Sequence, residues 1–474
     1  ALVPVGEGSM HIRTTIVATV ASLSFTGTGL GQVDFEFIDS GQALGSLEDT
    51  NSVTLGDLDG DGDLDAVFAN LGDPNSVWMN DGTGTFTDSV QPFQTNQSPS
   101  VSLGDFDGDG DLDAMVANYY GLPNSVWMND GTGTFSDTGQ SLGEGWSRSI
   151  ALGDIDLDGD LDAVVANTYE PNTIWINDGG GNFQNEGVFG GGSGSTWIAM
   201  GDLNGNGFPD VMVTNYGEPN TVWRNTEGSG FVLDDSLGSN KSTSVALGDL
   251  DGDGDLDAMV ANEAEPNRVW TNDGNGAFTE TATIGNANSW GVGLADLDED
   301  GDLDAVIANC CGAENRSWTN DGSGNFTSGQ SFDVGSNSYG IAVGDLDGDG
   351  DPDAVIANGG EANTVWLDIV QGACCISGVC FQADTDTCQT VDGSYLGGSC
   401  DDAACDNVEP TGACCVSSGC TVNTEAACTE LGGTWTEDGV CDDCPDECAG
   451  DTNGDGTVDV FDLLAVIDDW GTCP

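Results

Sequence analysis

The sequence predicts an all-β fold, a seven-bladed β-propeller, and three observations carry that prediction. An acidic decapeptide recurs seven times at a period of 47 to 49 residues. Each period contains four short β-prone runs separated by tight turns. The last period lacks its fourth run, and a spare copy of that run stands before the first period.

The decapeptide DLDGDGDLDA opens at Asp57. DFDGDGDLDA follows at Asp105, DIDLDGDLDA at Asp154 and DLNGNGFPDV at Asp202. DLDGDGDLDA returns at Asp249, DLDEDGDLDA stands at Asp296 and DLDGDGDPDA at Asp345. So even a spacing marks a repeat architecture, in which each unit buries its apolar face only against its neighbours.

One repeat, residues 99–143, gives the strands. SVSLGD alternates into the acidic loop, LDAMVAN leaves it, PNSVWMND follows, and GTGT turns into TFSDTGQ. Four short strands with tight turns make one antiparallel sheet, and seven such sheets in series make blades around an axis. Blade seven has GIAVGD, DAVIAN and NTVWLD before the sequence changes to QGACC. Val33 to Gln42 (VDFEFIDSGQ) matches the missing fourth strand, so it should pair with blade seven and close the ring. Closure removes two exposed sheet edges.

The chain has 474 residues, six basic against 82 acidic, for a formal charge of −76. A nucleic-acid partner needs a basic footprint and is excluded, and anionic membrane surfaces are disfavoured. No stretch after the leader is apolar enough to span a bilayer. Residues 1–32 read as a leader: Met10, His11 and Arg13 head an apolar run from Thr14 to Phe25, with cleavage expected near Gln32. The same run is β-branched and would also make a strand. Fourteen of the 16 cysteines lie after residue 373, which points to disulfides and an oxidising compartment. The expected location is extracellular or cell-surface, on a bacterial host.

Packing so many carboxylates together needs a counter-charge, since two of them 4 Å apart repel by about 1 kcal/mol even in water. Oxygen ligands at loop positions 1, 3, 5 and 9, with a backbone carbonyl at 7 and glycine at 6, suit a hard cation, calcium rather than magnesium. Copy one offers Asp57, Asp59, Asp61 and Asp65 with the Asp63 carbonyl. Copy two offers Asp105, Asp107, Asp109 and Asp113 with Asp111; copy three Asp154, Asp156, Asp158 and Asp162 with Asp160. Copy four, the weakest, offers Asp202, Asn204, Asn206 and Asp210 with Phe208. Copy five offers Asp249, Asp251, Asp253 and Asp257 with Asp255; copy six Asp296, Asp298, Asp300 and Asp304 with Asp302. Copy seven offers Asp345, Asp347, Asp349 and Asp353 with Asp351.

These loops resemble the FG-GAP or VCBS-type repeats of bacterial secreted proteins and the integrin α-chain head, whose D-x-[DN]-x-[DN]-G-x-x-D pattern all seven match. The resemblance covers about residues 33–368. It implies a calcium-binding propeller with the loops on one face and ligands on the other.

Seven tryptophans recur in the third strand, Trp78, Trp127, Trp175, Trp223, Trp270, Trp318 and Trp366. At one fixed position per blade they are expected to pack between blades. Residues that break the repeat are better ligand candidates: Trp146, Arg148, Trp197, Trp290 and Tyr339 fall in or beside the connections between blades. Cys310-Cys311 falls in a second-to-third-strand turn, where a vicinal disulfide and links to the tail are both open.

The tail reads as two echoing cysteine modules, 369–408 (GACCISGVC) and 409–447 (GACCVSSGC), each of three bridges with connectivity open. Residues 448–474 hold a further calcium loop, Asp451, Asn453, Asp455, Thr457, Asp459 and Asp462, followed by an apolar helix from Val460 to Trp470. It resembles one half of a type I dockerin.

Functionally, the only histidine is His11, in the leader, so no histidine-based triad is available. The expectation is a non-enzymatic, secreted, calcium-stabilised binding or adhesion protein with a glycan or extracellular protein ligand. It would hold about seven calcium ions in the propeller and one in the C-terminal loop. The alternatives are a fibre subunit that self-associates by strand donation from the leader and, less favoured, a propeller glycosidase.

Overall fold

The computed structural model describes residues 35–368 apart from 92 and 191–193, with side chains omitted at 94–96, and beyond 368 the backbone of six short strands. The leader, the tail's disulfide pairing and the C-terminal loop and helix lie outside the described residues.

Seven four-stranded antiparallel sheets account for residues 37–368. Their inner strands are Thr50–Gly56, Ser100–Gly104, Ser147–Gly153, Ser195–Gly201, Ser242–Gly248, Ser289–Ala295 and Ser338–Gly344. Each inner strand touches the next, and the last touches the first, so the sheets form a closed ring of blades. Alternation within these strands is weak because both faces meet a neighbouring blade, and the second strands, such as Asp162–Asn167, are buried at every residue. In blade one the second and third strands run on as Asp65–Asn80, and the outer strand is split into Phe86–Asp88 and Phe93–Gln97.

The ring closes as the sequence predicts, with a shift in bounds. The closing strand is Phe37–Leu44 rather than 33–42, and it pairs with Asn363–Asp368 from Phe37↔Asp368 to Leu44↔Asn363. Phe37 and Leu44, each no more than 2% exposed, anchor its two ends in the core, which sets where it begins and stops. Gln42 then reaches blade one, donating through Nε2 to the Gly84 carbonyl (2.5 Å) and accepting from Phe86 N–H (2.8 Å). Gln91 and Gln140 make the same pair of bonds at the next two seams.

The core is a set of seam clusters. Trp127 of blade two packs with Leu58, Val67 and Val77 of blade one, and Trp175 of blade three with Phe106, Met115 and Val126 of blade two. The repeated tryptophans are thus inter-blade packing, as expected. The asparagines of the AN dipeptides are buried turn residues: Asn70 N–H donates to Asn75 Oδ1, and Asn70 Nδ2 to the Pro74 carbonyl. In the tail, 372–376, 379–383 and 394–395 form one three-stranded sheet, and 411–416, 419–424 and 434–437 form another of the same order.

Candidate metal loops and ligand face

Every acidic loop joins the end of an inner strand to the start of the second strand. Its first carboxylate folds it. Asp57 Oδ1 accepts from Gly60 N–H at 2.8 Å and Oδ2 from Gly62 N–H at 3.1 Å, a pattern repeated at Asp105, Asp249 and Asp345. Gly62 has φ +101°, and the six equivalent glycines lie between +88° and +104°, so a side chain at position 6 would be strained in all seven copies.

The last carboxylate is buried. Asp65 Oδ2 accepts from Leu58 N–H at 3.0 Å and Oδ1 from Asn80 N–H at 2.7 Å, and all seven copies make this pair of bonds. Burial nevertheless dominates, pushing Asp65, Asp113, Asp162, Asp210 and Asp257 up to about 6. Position 7 points elsewhere: the Asp111 carboxylate lies against Gly131 of the following hairpin, and that glycine has φ +73°.

A hard cation fits this donor set. Single oxygens of Asp57, Asp59 and Asp61 lie within 4.8 Å of one another, as do those of Asp105, Asp107 and Asp113, and of Asp249, Asp251 and Asp257. Burial first, and then neighbouring carboxylates, raise Asp59, Asp107, Asp156 and Asp251 above the usual range. The Oδ1 atoms of Asp59, Asp251 and Asp296 are buried and accept no hydrogen bond from the protein. Buried, unpartnered anionic oxygen is expensive, and a bound cation answers that cost. Copy four departs: Asn204 and Asn206 leave it two carboxylates, and Asn204 Nδ2 donates to Asp210 Oδ2.

The opposite ends of the inner strands, some six residues or about 20 Å away, present an irregular face. There a cavity of about 580 Å³ is lined by Arg148, Trp197, Trp290 and Tyr339, four of the five residues singled out in the sequence, and by Asn51, Thr196 and Thr243 at equivalent strand positions. Trp290 and Tyr339 meet edge to face with centroids 5.2 Å apart. Trp290 Nε1 is buried and donates to no group of the protein. The Arg148 guanidinium stacks 4.8 Å above the Tyr119 ring, and burial pushes the Tyr119 hydroxyl up to about 12. Among the described residues, ion pairs form at Arg268–Glu280 and Arg316–Glu314, and no carboxylate pairs with Arg148. Trp146 does not line the cavity. It stands beside it, between Tyr120 and Tyr169.

The acidic loops also agree with a known repeat. Six overlapping segments, 57–116, 105–165, 154–213, 202–260, 249–307 and 296–356, match the FG-GAP-like repeat, each beginning on the first aspartate of a loop. Together they cover more than half of the chain. The chain belongs to the FG-GAP-like repeat family. No curated protein matches it in sequence. Among solved structures it is similar to BBS1N in complex with ARL6DN soaked with lead, with TM-score 0.52 and 10% identity over 70% of this chain and 96% of that one. The mercury-soaked form of that complex gives 0.50 and 11% over 71% and 97%. An Agrocybe aegerita lectin that recognises non-reducing terminal N-acetylglucosamine gives 0.43 and 18% over 68% and 88%. The BBS1N likeness is one of fold.

Within this FG-GAP-like ring, sequence reasoning missed Tyr169, Tyr216, Glu218 and Glu263, which also line the cavity. All four lie in turns between second and third strands, segments that read as plain turns. One signal was available: Tyr120 and Tyr169 stand where other repeats place Gly72, Gly217 and Gly360. Cys310 and Cys311 are joined as a vicinal pair in the equivalent turn of blade six, while the tail cysteines of the other alternative lie outside the described residues.

Proposed function

We propose that this FG-GAP-like protein is a secreted, non-enzymatic binding or adhesion protein, stabilised by calcium, whose ligand seats on the face away from the acidic loops. The observation that carries the reading is the convergence of Arg148, Trp197, Trp290 and Tyr339 on one cavity. The acidic face repeats nearly the same turn in each blade and offers little to discriminate, whereas this face is asymmetric. Aromatic and arginine side chains in a partly enclosed site are the groups that dominate binding energies. A glycan or an extracellular protein is the ligand class.

Calcium would be held by the loop carboxylates, in copy one Asp57, Asp59, Asp61 and Asp65 with the Asp63 carbonyl. It would supply counter-charge and order, with no reaction routed through it. With no histidine beyond His11, a histidine-based triad is not part of this reading.

Capture of the purified protein on an array of glycans and extracellular matrix proteins, with millimolar calcium, tests the reading. Trp290→Ala and Arg148→Ala should each weaken capture about fivefold or more, equivalent to ~1 kcal/mol, while calcium-dependent melting stays as in wild type. Undiminished capture by both variants would place the ligand elsewhere.

A further inference from the structure

The turn between the second and third strands has a left-handed residue in every blade: Gly72, Tyr120, Tyr169, Gly217, Ala264, Cys311 and Gly360, with φ from +56° to +90°. Glycine takes this conformation freely, whereas a residue with a β-carbon is held there at a cost of about 1 kcal/mol or more. Tyr120 and Tyr169 bear that cost without burying themselves, since they are 60% and 70% exposed. Strain that brings no core packing points to a use for the side chain.

The two tyrosines do not stand alone. Trp146 lies between them, its ring 4.8 Å from Tyr120 and 5.9 Å from Tyr169, with planes inclined at 71° and 70°. The backbone fixes this spacing: Gly121 N–H donates to the Gly145 carbonyl and Thr168 N–H to the Trp146 carbonyl. The three rings form a notched ridge whose geometry is set before any ligand arrives. Tyr169 also lines the cavity, so the ridge runs into it.

We propose that the Tyr120–Trp146–Tyr169 ridge is a subsite for neutral sugar rings, presenting one or two units of an oligosaccharide that continues into the cavity. The proposal rests on the reading of this face as the ligand face and adds the ligand's chemistry. Glutamates border the ridge: the Glu170 carboxylate lies against Gly145, and the Glu144 backbone lies against Gly121, beside Tyr120. They repel anionic ligands and offer acceptors to hydroxyl groups. Three rings bordered by charge fall far short of the roughly 800 Å² per partner of a stable protein interface. A second copy is further opposed by a net charge of −76 on each chain. A pyranose has what remains: an apolar C–H face to stack on a ring and equatorial hydroxyls to meet the carboxylates.

The test is native affinity electrophoresis of the full chain in calcium, through gels containing a soluble β-glucan, a xylan or a galactomannan, with polygalacturonate as the anionic control. At least one neutral polysaccharide should retard the protein. Tyr120→Gly with Tyr169→Gly installs the residue that other blades carry there, so melting should be unchanged or raised while affinity falls tenfold or more. Trp146→Ala should weaken retardation as well. Retardation by no neutral polysaccharide, or by polygalacturonate alone, overturns the proposal, as does wild-type retardation of the double-glycine variant. If Trp290→Ala and Arg148→Ala lose capture while the double-glycine variant keeps it, the cavity stands and the ridge falls. If only the double-glycine variant loses it, the ridge stands without the cavity.

Discussion

Asn129 of blade two donates its side-chain amide to the carbonyl of Leu58, the second residue of blade one's acidic loop, at 2.8 Å. The relation recurs from Asn80 to Leu346, Asn177 to Phe106, Asn225 to Ile155, Asn272 to Leu203 and Asn320 to Leu250. The acidic loops are therefore part of the seams between blades. Order in the loops and cohesion of the ring are coupled, and a cation that orders the former should stabilise the latter.

Asn129→Ala removes that bond and the one from the same amide to the Leu112 carbonyl at 3.2 Å, leaving the Leu58 carbonyl with the Gly133 N–H alone. The expected loss is about 1–3 kcal/mol in chemical unfolding, accompanied by a higher calcium concentration for half-maximal stabilisation. A stability change below about 0.5 kcal/mol would show that the seam does not depend on this contact.

Gly131→Ala and Gly139→Ala separate backbone strain from loop contact. Both glycines have φ near +74°, but a β-carbon at 131 would meet the Asp111 carboxylate, while at 139 nothing lies within 4 Å. Melting temperature should fall in both variants. Calcium-dependent stabilisation should fall only in Gly131→Ala, because moving Asp111 disturbs loop position 7.

The ring was readable from sequence because its period is even and its closing strand has a partner missing at the other end. The exact bounds of that strand were not, since Phe37 and Leu44 gain their burial only from blades brought together by the fold. The acidic loops were legible as local oxygen patterns, and the structure adds their seam bonds, which join residues about 70 positions apart. Arg148, Trp290 and Tyr339 were found because they break the repeat at one strand position, and Trp197 because it stands beside that position in blade four. Trp146 was grouped with them by proximity in sequence, yet it stands just before its strand, which begins at Ser147, and faces Tyr120 and Tyr169.

Copy four gives a gain-of-function test. Asn204→Asp with Asn206→Asp restores the carboxylates present in the other loops. Calcium should then add up to about 1 kcal/mol more stabilisation than in wild type, the amount a single site of submillimolar affinity supplies at ~1 mM ion. Calorimetric titration should show one additional or tightened site, and an unchanged isotherm would count against this loop as a metal site.

The pH dependence should change sign with calcium. Without the ion, Asp65, Asp113, Asp162, Asp210 and Asp257 sit near 6 when folded, chiefly through burial, against about 3.9 unfolded. The stability this shift contributes is full below about pH 4 and is lost as pH rises through 6. The calcium-free propeller should therefore melt higher at pH 5 than at pH 7.5. With millimolar calcium the order should invert, because protons compete with the ion for the same oxygens. A calcium-free melting temperature that rises from pH 5 to 7.5 would contradict the assignment.

Thermal unfolding with and without chelator tests the structural role of calcium most directly. At ~1 mM free ion and dissociation constants of ~0.1–1 mM, each loop gains about 0.4–1.4 kcal/mol by mass action. Seven loops together supply roughly 3–10 kcal/mol, comparable to the whole stability of an ordinary domain. EDTA should therefore lower the melting temperature of the propeller by many degrees, and excess calcium, but not sodium at equal ionic strength, should restore it. An identical melting curve in EDTA and in calcium would contradict the account.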